Sequence, residues 1–162
     1  MLISPHFDLD EFTQSQVATR WGRDIVPPSD VIGNIELLCH QILEPLRLLV
    51  QRPIIITSGY RPDWLNRAIG GSEHSAHMYG CAADIICPGM VALGVASRVG
   101  MMHAAKDDTG ASLLPTLDQC ILEFGRWTHV AIARPKEKPR GEFLTARLND
   151  ANRVYYELGL RP

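Results

Sequence analysis

Two histidines and an aspartate are the residues of this chain whose types best suit metal chemistry. His77 and Asp84 lie seven residues apart in a stretch that leaves a loop and enters a strand, and His129 lies on a further strand. Two imidazoles and one carboxylate held by a sheet form a three-ligand zinc set whose fourth position takes a water. Zinc lowers the pKa of that water to about 7 and polarises a bound carbonyl. The spacing alone does not distinguish such a site from satisfied core residues.

Runs of β-branched and apolar residues predict the strands that hold these side chains. Residues 54–57 are β-branched throughout, which is typical of a buried strand. Gly125 and Arg126 separate two further runs and predict a hairpin between them. The predicted strands cover residues 54–57, 81–87, 119–124, 127–133 and 143–148. Asp84 and His129 therefore fall on two different strands.

Helical signals dominate the first fifty residues. Asp8, with Glu11 three positions on, is typical of a capping box. Ser29 predicts the start of a long helix, which Pro45 should kink or divide. Its apolar face comprises Ile32, Ile35, Cys39, Ile42, Leu46 and Leu49. The predicted helices cover residues 9–20, 29–50, 63–69 and 88–104, the last beginning at Pro88. Helices followed by strands with one inserted helix favour an α+β fold with a mostly antiparallel sheet.

Composition and charge limit the class of protein. The chain has 162 residues, 46% hydrophobic and 21% charged, which excludes a disordered tail and a coiled-coil rod. The formal net charge of −2 gives no basic footprint for nucleic acid or an anionic membrane. It divides into −6 over residues 1–125 and +4 over residues 126–162, so the C-terminal end is basic. We expect one domain over residues 1–162, with a helical part (1–52), a catalytic core (53–133) and a basic extension (134–162).

The cysteines and the N-terminus indicate where the protein is made. The four cysteines form no CxxC pair, and we expect mostly buried thiols in a reducing compartment. No signal peptide is recognised after Met1, and no apolar run is long enough to span a membrane. We therefore expect a protein made in the cytoplasm.

Several motifs occur together in the order found in a known family. They are Ser58-Gly59-Tyr60-Arg61, Leu65-Asn66, Gly70-Gly71, Ser75-x-His77-x-x-Gly80-x-Ala82-Ala83-Asp84 and Trp127-Thr128-His129-Val130. Together they resemble the zinc D-alanyl-D-alanine carboxypeptidases, which belong to a wider group of peptidoglycan peptidases that includes the hedgehog signalling domain. The resemblance covers about residues 53–133. A further likeness in His6-Phe7, Glu11-Phe12, Ser15 and Leu144-Thr145-Ala146 is to phage and prophage members.

The resemblance implies a role for each matching residue. His77, Asp84 and His129 match the ligands of one zinc ion. Arg61 matches the arginine that holds a substrate carboxylate, for which the guanidinium fork is suited. Ser75 matches a serine that also holds substrate. A surface salt bridge for Arg61 and a turn or cap for Ser75 are the alternatives without a catalytic role.

The resemblance identifies the general base less directly than the other site residues. Some members carry an acid three residues before the last ligand, where this chain has Arg126, which cannot serve. Glu123, six residues before His129, matches other members, including hedgehog-type domains, and is our predicted base. Asp118 is the poorer alternative. Glu123 could instead be a strand-end carboxylate paired with Arg126 or a lysine.

Together these features imply a zinc peptidase of peptidoglycan stem peptides. We expect removal of the terminal D-alanine, with an endopeptidase cut, such as the L-Ala-D-Glu bond, as the alternative on the same site. A non-catalytic, zinc-stabilised wall-binding or virion domain is the alternative of another class. We expect a monomer that binds neither nucleic acid nor membrane. Without a signal peptide, it would reach the wall after release by phage lysis machinery or as part of a virion.

Overall fold

Residues 1–50 of the computed structural model, which describes all 162 residues, form a strand pair and a series of helices. The elements are β1 (Leu2–Ser4), β2 (Phe7–Asp8), a 3₁₀ helix (Leu9–Phe12), α1 (Gln16–Arg20), α2 (Ser29–Leu38), a π-helical turn (Cys39–Leu43) and α3 (Glu44–Val50). The capping box at Asp8 and Glu11 is confirmed. The single helix predicted over 9–20 is wrong, because the first turn ends at Phe12 and Ser15, with extended backbone, caps a new helix.

The long helix predicted over 29–50 is continuous but changes its winding. Pro28, not Ser29, is its N-cap, and Ser29 is already helical. Pro45 has no N–H, and just before it the N–H of Glu44 donates to Cys39 O, five residues back, in a π turn. The extra residue in that turn rotates the buried face. Leu43, which is not on the predicted face, is therefore buried with Leu46, whereas Leu49, which the regular spacing places on that face, is exposed.

The rest of the chain forms a six-stranded sheet and one long helix that packs on one face of it. The elements are β3 (Ile55–Ser58), α4 (Asp63–Ala68), a 3₁₀ helix (Ala76–Tyr79), β4 (Ala82–Ile86), α5 (Ala92–Ala104), β5 (Leu117–Glu123), β6 (Trp127–Ile132), β7 (Glu142–Leu148) and β8 (Val154–Leu158). The strand order is β3-β4-β6-β5-β7-β8. All neighbours are antiparallel except β5 and β7. The predicted α+β fold with a mostly antiparallel sheet is confirmed.

The two faces of the sheet differ in what they contact. On one face, Thr128 Oγ donates to Ala92 O at 2.9 Å and Cys120 lies against Ala96, so α5 covers this side. The core under α5 continues to the long helix and contains the four buried, free cysteines that the sequence predicts. Because side chains alternate along a strand, His129 and the residues in register with it face the other way. That second face carries the site described below.

Two local predictions are wrong or incomplete, and a third is confirmed. Helix α5 begins at Ala92 rather than Pro88, because Met90 N–H donates to Cys87 O and closes a turn through Gly89, whose φ is +79°. Strands β1, β2 and β8 are additional to the prediction. The hairpin at Gly125 is confirmed. None of the helices combines the length and the apolar character that a membrane crossing requires.

Candidate metal centre and groove

Three buried side chains from three elements converge on one point. Asp84 on β4 is directly opposite His129 on β6, and the short 3₁₀ helix after Ser75 brings His77 over this pair. Asp84 Oδ1 lies 3.2 Å from His77 Nε2 and 2.9 Å from His129 Nδ1, and the two imidazole nitrogens are 3.2 Å apart. Exposure is 2% for His77, 6% for Asp84 and 7% for His129. The convergence predicted from the sequence is therefore present.

The backbone around residue 59 fixes the orientation of the His77 ring. His77 Nδ1–H donates to Gly59 O at 2.8 Å, which leaves the Nε2 lone pair facing the cluster. Gly59 lies so close to Phe12 that a β-carbon there would be 2.5 Å from Phe12 Cα. The next amide, Tyr60 N–H, donates to Phe12 O at 2.7 Å. The N-terminal segment thus supports a ligand side chain 65 positions further along the chain.

The charge states of the cluster suit metal binding. Burial lowers the pKa of His77, which favours the neutral imidazole that a metal needs. Burial alone would raise the pKa of Asp84, but the two histidines hold it well below its usual range, so the carboxyl is ionised. Its second oxygen, Oδ2, accepts from Arg61 Nη2 at 2.7 Å.

The donor set fits zinc. Two imidazole nitrogens and one carboxylate oxygen lie within 4.8 Å of one another. Three protein ligands of these types, with one further position, are the usual arrangement of a catalytic zinc site. A hydrogen-bonded second partner on His77 and on Asp84 is also typical of such sites.

The two predicted substrate-binding residues line the same groove, a cavity of about 590 Å³. Arg61 is not on the surface, since its side chain is only 14% exposed, and Nε donates to Ser58 Oγ while Nη2 pairs with Asp84. Ser75 begins the 3₁₀ helix, but its side chain makes no capping hydrogen bond. The structure thus places both residues beside the ligands.

The two candidate bases have different surroundings. Glu123 lies in the groove, where burial and then the charge of Asp84 raise the pKa of its carboxyl. The predicted alternative of an ion pair with Arg126 is not formed, because Arg126 contacts Glu123 only through a backbone hydrogen bond of 2.9 Å. Asp118 also lines the groove, but Arg140 donates to both of its oxygens, at 3.0 and 2.6 Å. Of these two candidates, Glu123 is the carboxylate without an arginine partner.

Several groove residues are not identified by the sequence motifs. They come from the loop before Ser75, from the connection between β6 and β7, and from β8, and include His74, Arg134, Arg140 and Tyr156. The charge pattern of the last 29 residues predicts only a basic extension of the core. The run Val154–Leu158, rich in β-branched and aromatic residues, is the signal that indicates a strand there.

Comparison with known proteins agrees with this site. The family described as Peptidase M15 matches residues 5–131, and the chain belongs to this family. None of the curated proteins matches the chain. With the buried His77, Asp84 and His129 group, the chain is a zinc metallopeptidase of the kind that acts on peptidoglycan.

Proposed function

We propose that this zinc peptidase is a D-alanyl-D-alanine carboxypeptidase, which removes the terminal D-alanine of a peptidoglycan stem peptide. The observation that carries the proposal is the position of Arg61, which lines the groove next to Asp84. Arg61 is a cation in direct contact with a predicted zinc ligand. This position suits a substrate whose carboxylate lies one residue beyond the scissile bond.

His77, Asp84 and His129 would hold a zinc ion, which would polarise the scissile carbonyl and lower the pKa of the attacking water. Glu123 accepts a proton from that water and transfers it to the leaving amine nitrogen as the C–N bond breaks. The hydroxyl of the water ends on the new carboxyl group, and D-alanine leaves as the free amino acid. Burial of Glu123 supports this role, because it raises the pKa of the carboxyl toward that of a useful proton carrier.

Arg61 and Ser75 would position the substrate. Nη2 of Arg61 is engaged by Asp84 and Nε by Ser58, which holds the guanidinium plane in place. A rigid fork loses less freedom when it binds a carboxylate than a mobile side chain does. Ser75, whose side chain makes no capping hydrogen bond, offers a hydroxyl in the same groove.

The test uses two stem pentapeptides that end in D-Ala-D-Ala, one with a free C-terminal carboxylate and one with a C-terminal amide. Mass spectrometry of the products should show loss of one alanine from the free acid, with cleavage of the amide about 10- to 100-fold slower, since a hydrogen bond to a charged group is lost. Internal fragments from both peptides would support the endopeptidase. Absence of any zinc-dependent product would support the wall-binding alternative.

We also propose that the enzyme acts in phage-mediated lysis, either after release by the lysis machinery or as part of a virion. The support is the likeness of residues near both ends, at His6-Phe7 and Leu144-Thr145-Ala146, to phage and prophage members. Expression in bacterial cytoplasm tests this setting. Stem peptides of the wall should lose their terminal D-alanine only when the inner membrane is permeabilised, and intact stems in permeabilised cells that hold active enzyme would contradict this setting.

A further inference from the structure

The C-terminal hairpin formed by β7 and β8 lies outside the part of the chain that matches the family. The match ends at residue 131, whereas the hairpin spans residues 142–158. Leu144 and Tyr156 from this hairpin nevertheless line the same groove as His77, His129 and Glu123. One wall of the groove is therefore supplied by a segment that the family's shared part does not contain.

The strand register places Tyr156 on the same face as Glu123. Glu123 on β5 is opposite Ala146 on β7, and Ala146 is opposite Tyr156 on β8. Residues directly opposite one another project from the same face of a sheet. The β7 residue between them, Ala146, is small and buried. Tyr155, the preceding residue, projects from the other face.

The phenol of Tyr156 is suited to meet a substrate. The residue is 56% exposed within the groove wall, so its hydroxyl is accessible. Partial burial and then the negative charge of Glu123 raise the pKa of the phenol, which keeps it protonated as a donor. A peptide carbonyl is an acceptor that such a donor can bind.

The order of the strands gives a direction to the groove. Arg61 follows β3 at one edge, the ligands Asp84 and His129 lie on β4 and β6, Glu123 lies on β5, and Tyr156 lies on β8 at the other edge. With Arg61 on the terminal carboxylate, the chain that precedes the scissile bond must run toward β8. From β6 to β8 there are three strand spacings, about 14 Å in all. An extended peptide covers that distance with about four residues.

We infer that the β7–β8 hairpin binds the stem residues on the N-terminal side of the scissile bond, with the Tyr156 hydroxyl donating to a carbonyl of that segment. This inference rests on the proposed carboxypeptidase function, because Arg61 sets the direction of the substrate. Tyr156 is then a specificity-determining residue, because its hydrogen bond favours binding of a long stem peptide over a free dipeptide.

The experiment compares Tyr156→Phe with Tyr155→Phe, which removes the same hydroxyl one residue away on the opposite face. Hydrolysis is measured on a stem pentapeptide and on the dipeptide D-Ala-D-Ala. Tyr156→Phe should raise KM for the pentapeptide about fivefold to tenfold with kcat unchanged, as expected when one hydrogen bond used equally in substrate and transition state is lost. Neither KM nor kcat for the dipeptide should change, and Tyr155→Phe should leave both substrates unaffected.

A binding measurement separates this inference from the proposed function. Calorimetry with the inactive Glu123→Gln protein should show the same fivefold to tenfold weakening of pentapeptide binding on adding Tyr156→Phe. Equal losses for the two substrates, or no loss for the pentapeptide in either assay, would overturn the inference. If the wild type cuts neither substrate or makes only internal cuts, the proposed function fails, whereas the binding result still decides whether Tyr156 contacts the stem.

Discussion

The two faces of the central sheet carry different tasks on the same strands. Along β6, Thr128 and Val130 point toward α5 and the core, whereas Trp127 and His129 point toward the groove. Along β5, Leu122 is buried beside Thr128 and Glu123 reaches the groove. Substitution of one side chain should therefore affect hydrolysis, whereas substitution of its neighbour on the same strand should affect the free energy of unfolding. A shift of one residue in register would exchange the two sets, so the packing of the core face also fixes the site.

Replacement of a ligand on the groove face should have the largest effect. His129→Ala removes one of three donors, and we expect it to abolish stoichiometric zinc binding and hydrolysis while the fold is retained. Metal content after dialysis against a weak chelator, together with circular dichroism, measures both. Val130→Ala, one residue on, is the control that should keep one zinc per chain. A His129→Ala protein that retains its zinc would remove this residue from the ligand set.

Removal of the proposed base should have the next largest effect. Glu123→Gln keeps the size of the side chain but cannot accept the proton, so we expect kcat to fall by about 10²- to 10⁴-fold. Zinc content should stay at one ion, because Glu123 is not among the converging donors. Steady-state kinetics and metal analysis test this prediction. An unchanged rate would show that another group carries the proton.

A substitution on the core face should affect stability alone. Leu122→Ala removes a side chain that is 2% exposed, and we expect the free energy of unfolding to fall by about 2–5 kcal/mol. Because Leu122 faces away from the groove, kcat of the folded protein should be unchanged. Urea unfolding and kinetics at low temperature separate the two quantities. A large loss of kcat in a fully folded variant would contradict the division between the faces.

Substitution of Asp118, on the groove wall, should have the smallest effect, a modest fall in the free energy of unfolding. Burial alone would raise the pKa of Asp118, but the hydrogen bonds and charge of Arg140 hold it below its usual value. Asp118→Asn should lower the free energy of unfolding by about 1–2 kcal/mol at neutral pH, since Arg140 is half exposed. The rate of hydrolysis should be unchanged.

The pH dependence of this effect has a defined sign. A carboxyl whose pKa is lowered in the folded state stabilises the protein above its unfolded pKa, about 3.9, and the stabilisation is lost as the pH falls through the folded value. The difference in free energy of unfolding between wild type and Asp118→Asn should therefore become smaller below about pH 4. Urea unfolding at several pH values measures it. A loss of kcat comparable to that of Glu123→Gln would instead make Asp118 the base.

The sequence predicts the catalytic half of the groove well because motif and strand coincide there. Asp84 and His129 lie within segments whose apolar residues indicate strands, and the resemblance supplies the pairing that local pattern cannot. The start of α5 and the buried face of the long helix are predicted less well. The turn at Gly89, with its left-handed φ, moves the start of α5 to a later residue, and the π turn before Pro45 rotates the buried face of the long helix. Both depend on hydrogen bonds that apolar spacing does not encode.

The other half of the groove is predicted only in part, since the residue types suit strands over 143–148 and Val154–Leu158 but do not place them in the groove. Strand β8 has exposed side chains on both faces, so it lacks the alternation that marks a half-buried strand. The link from Glu123 to Tyr156 also passes through the parallel pairing of β5 with β7. That pairing joins segments more than twenty residues apart, and no residue in either strand specifies it on its own.

The contact between Gly59 and Phe12 places a limit on how this enzyme can evolve. Any side chain at position 59 would collide with the Phe12 backbone, and the carbonyl of Gly59 orients the His77 ring. A lineage that replaced this glycine would first have to move its own N-terminal turn, and with it the imidazole. Two segments that look unrelated in the sequence therefore constrain each other, and a chimaera that joins the N-terminal turn of one relative to the core of another should fold only where that core has glycine at position 59.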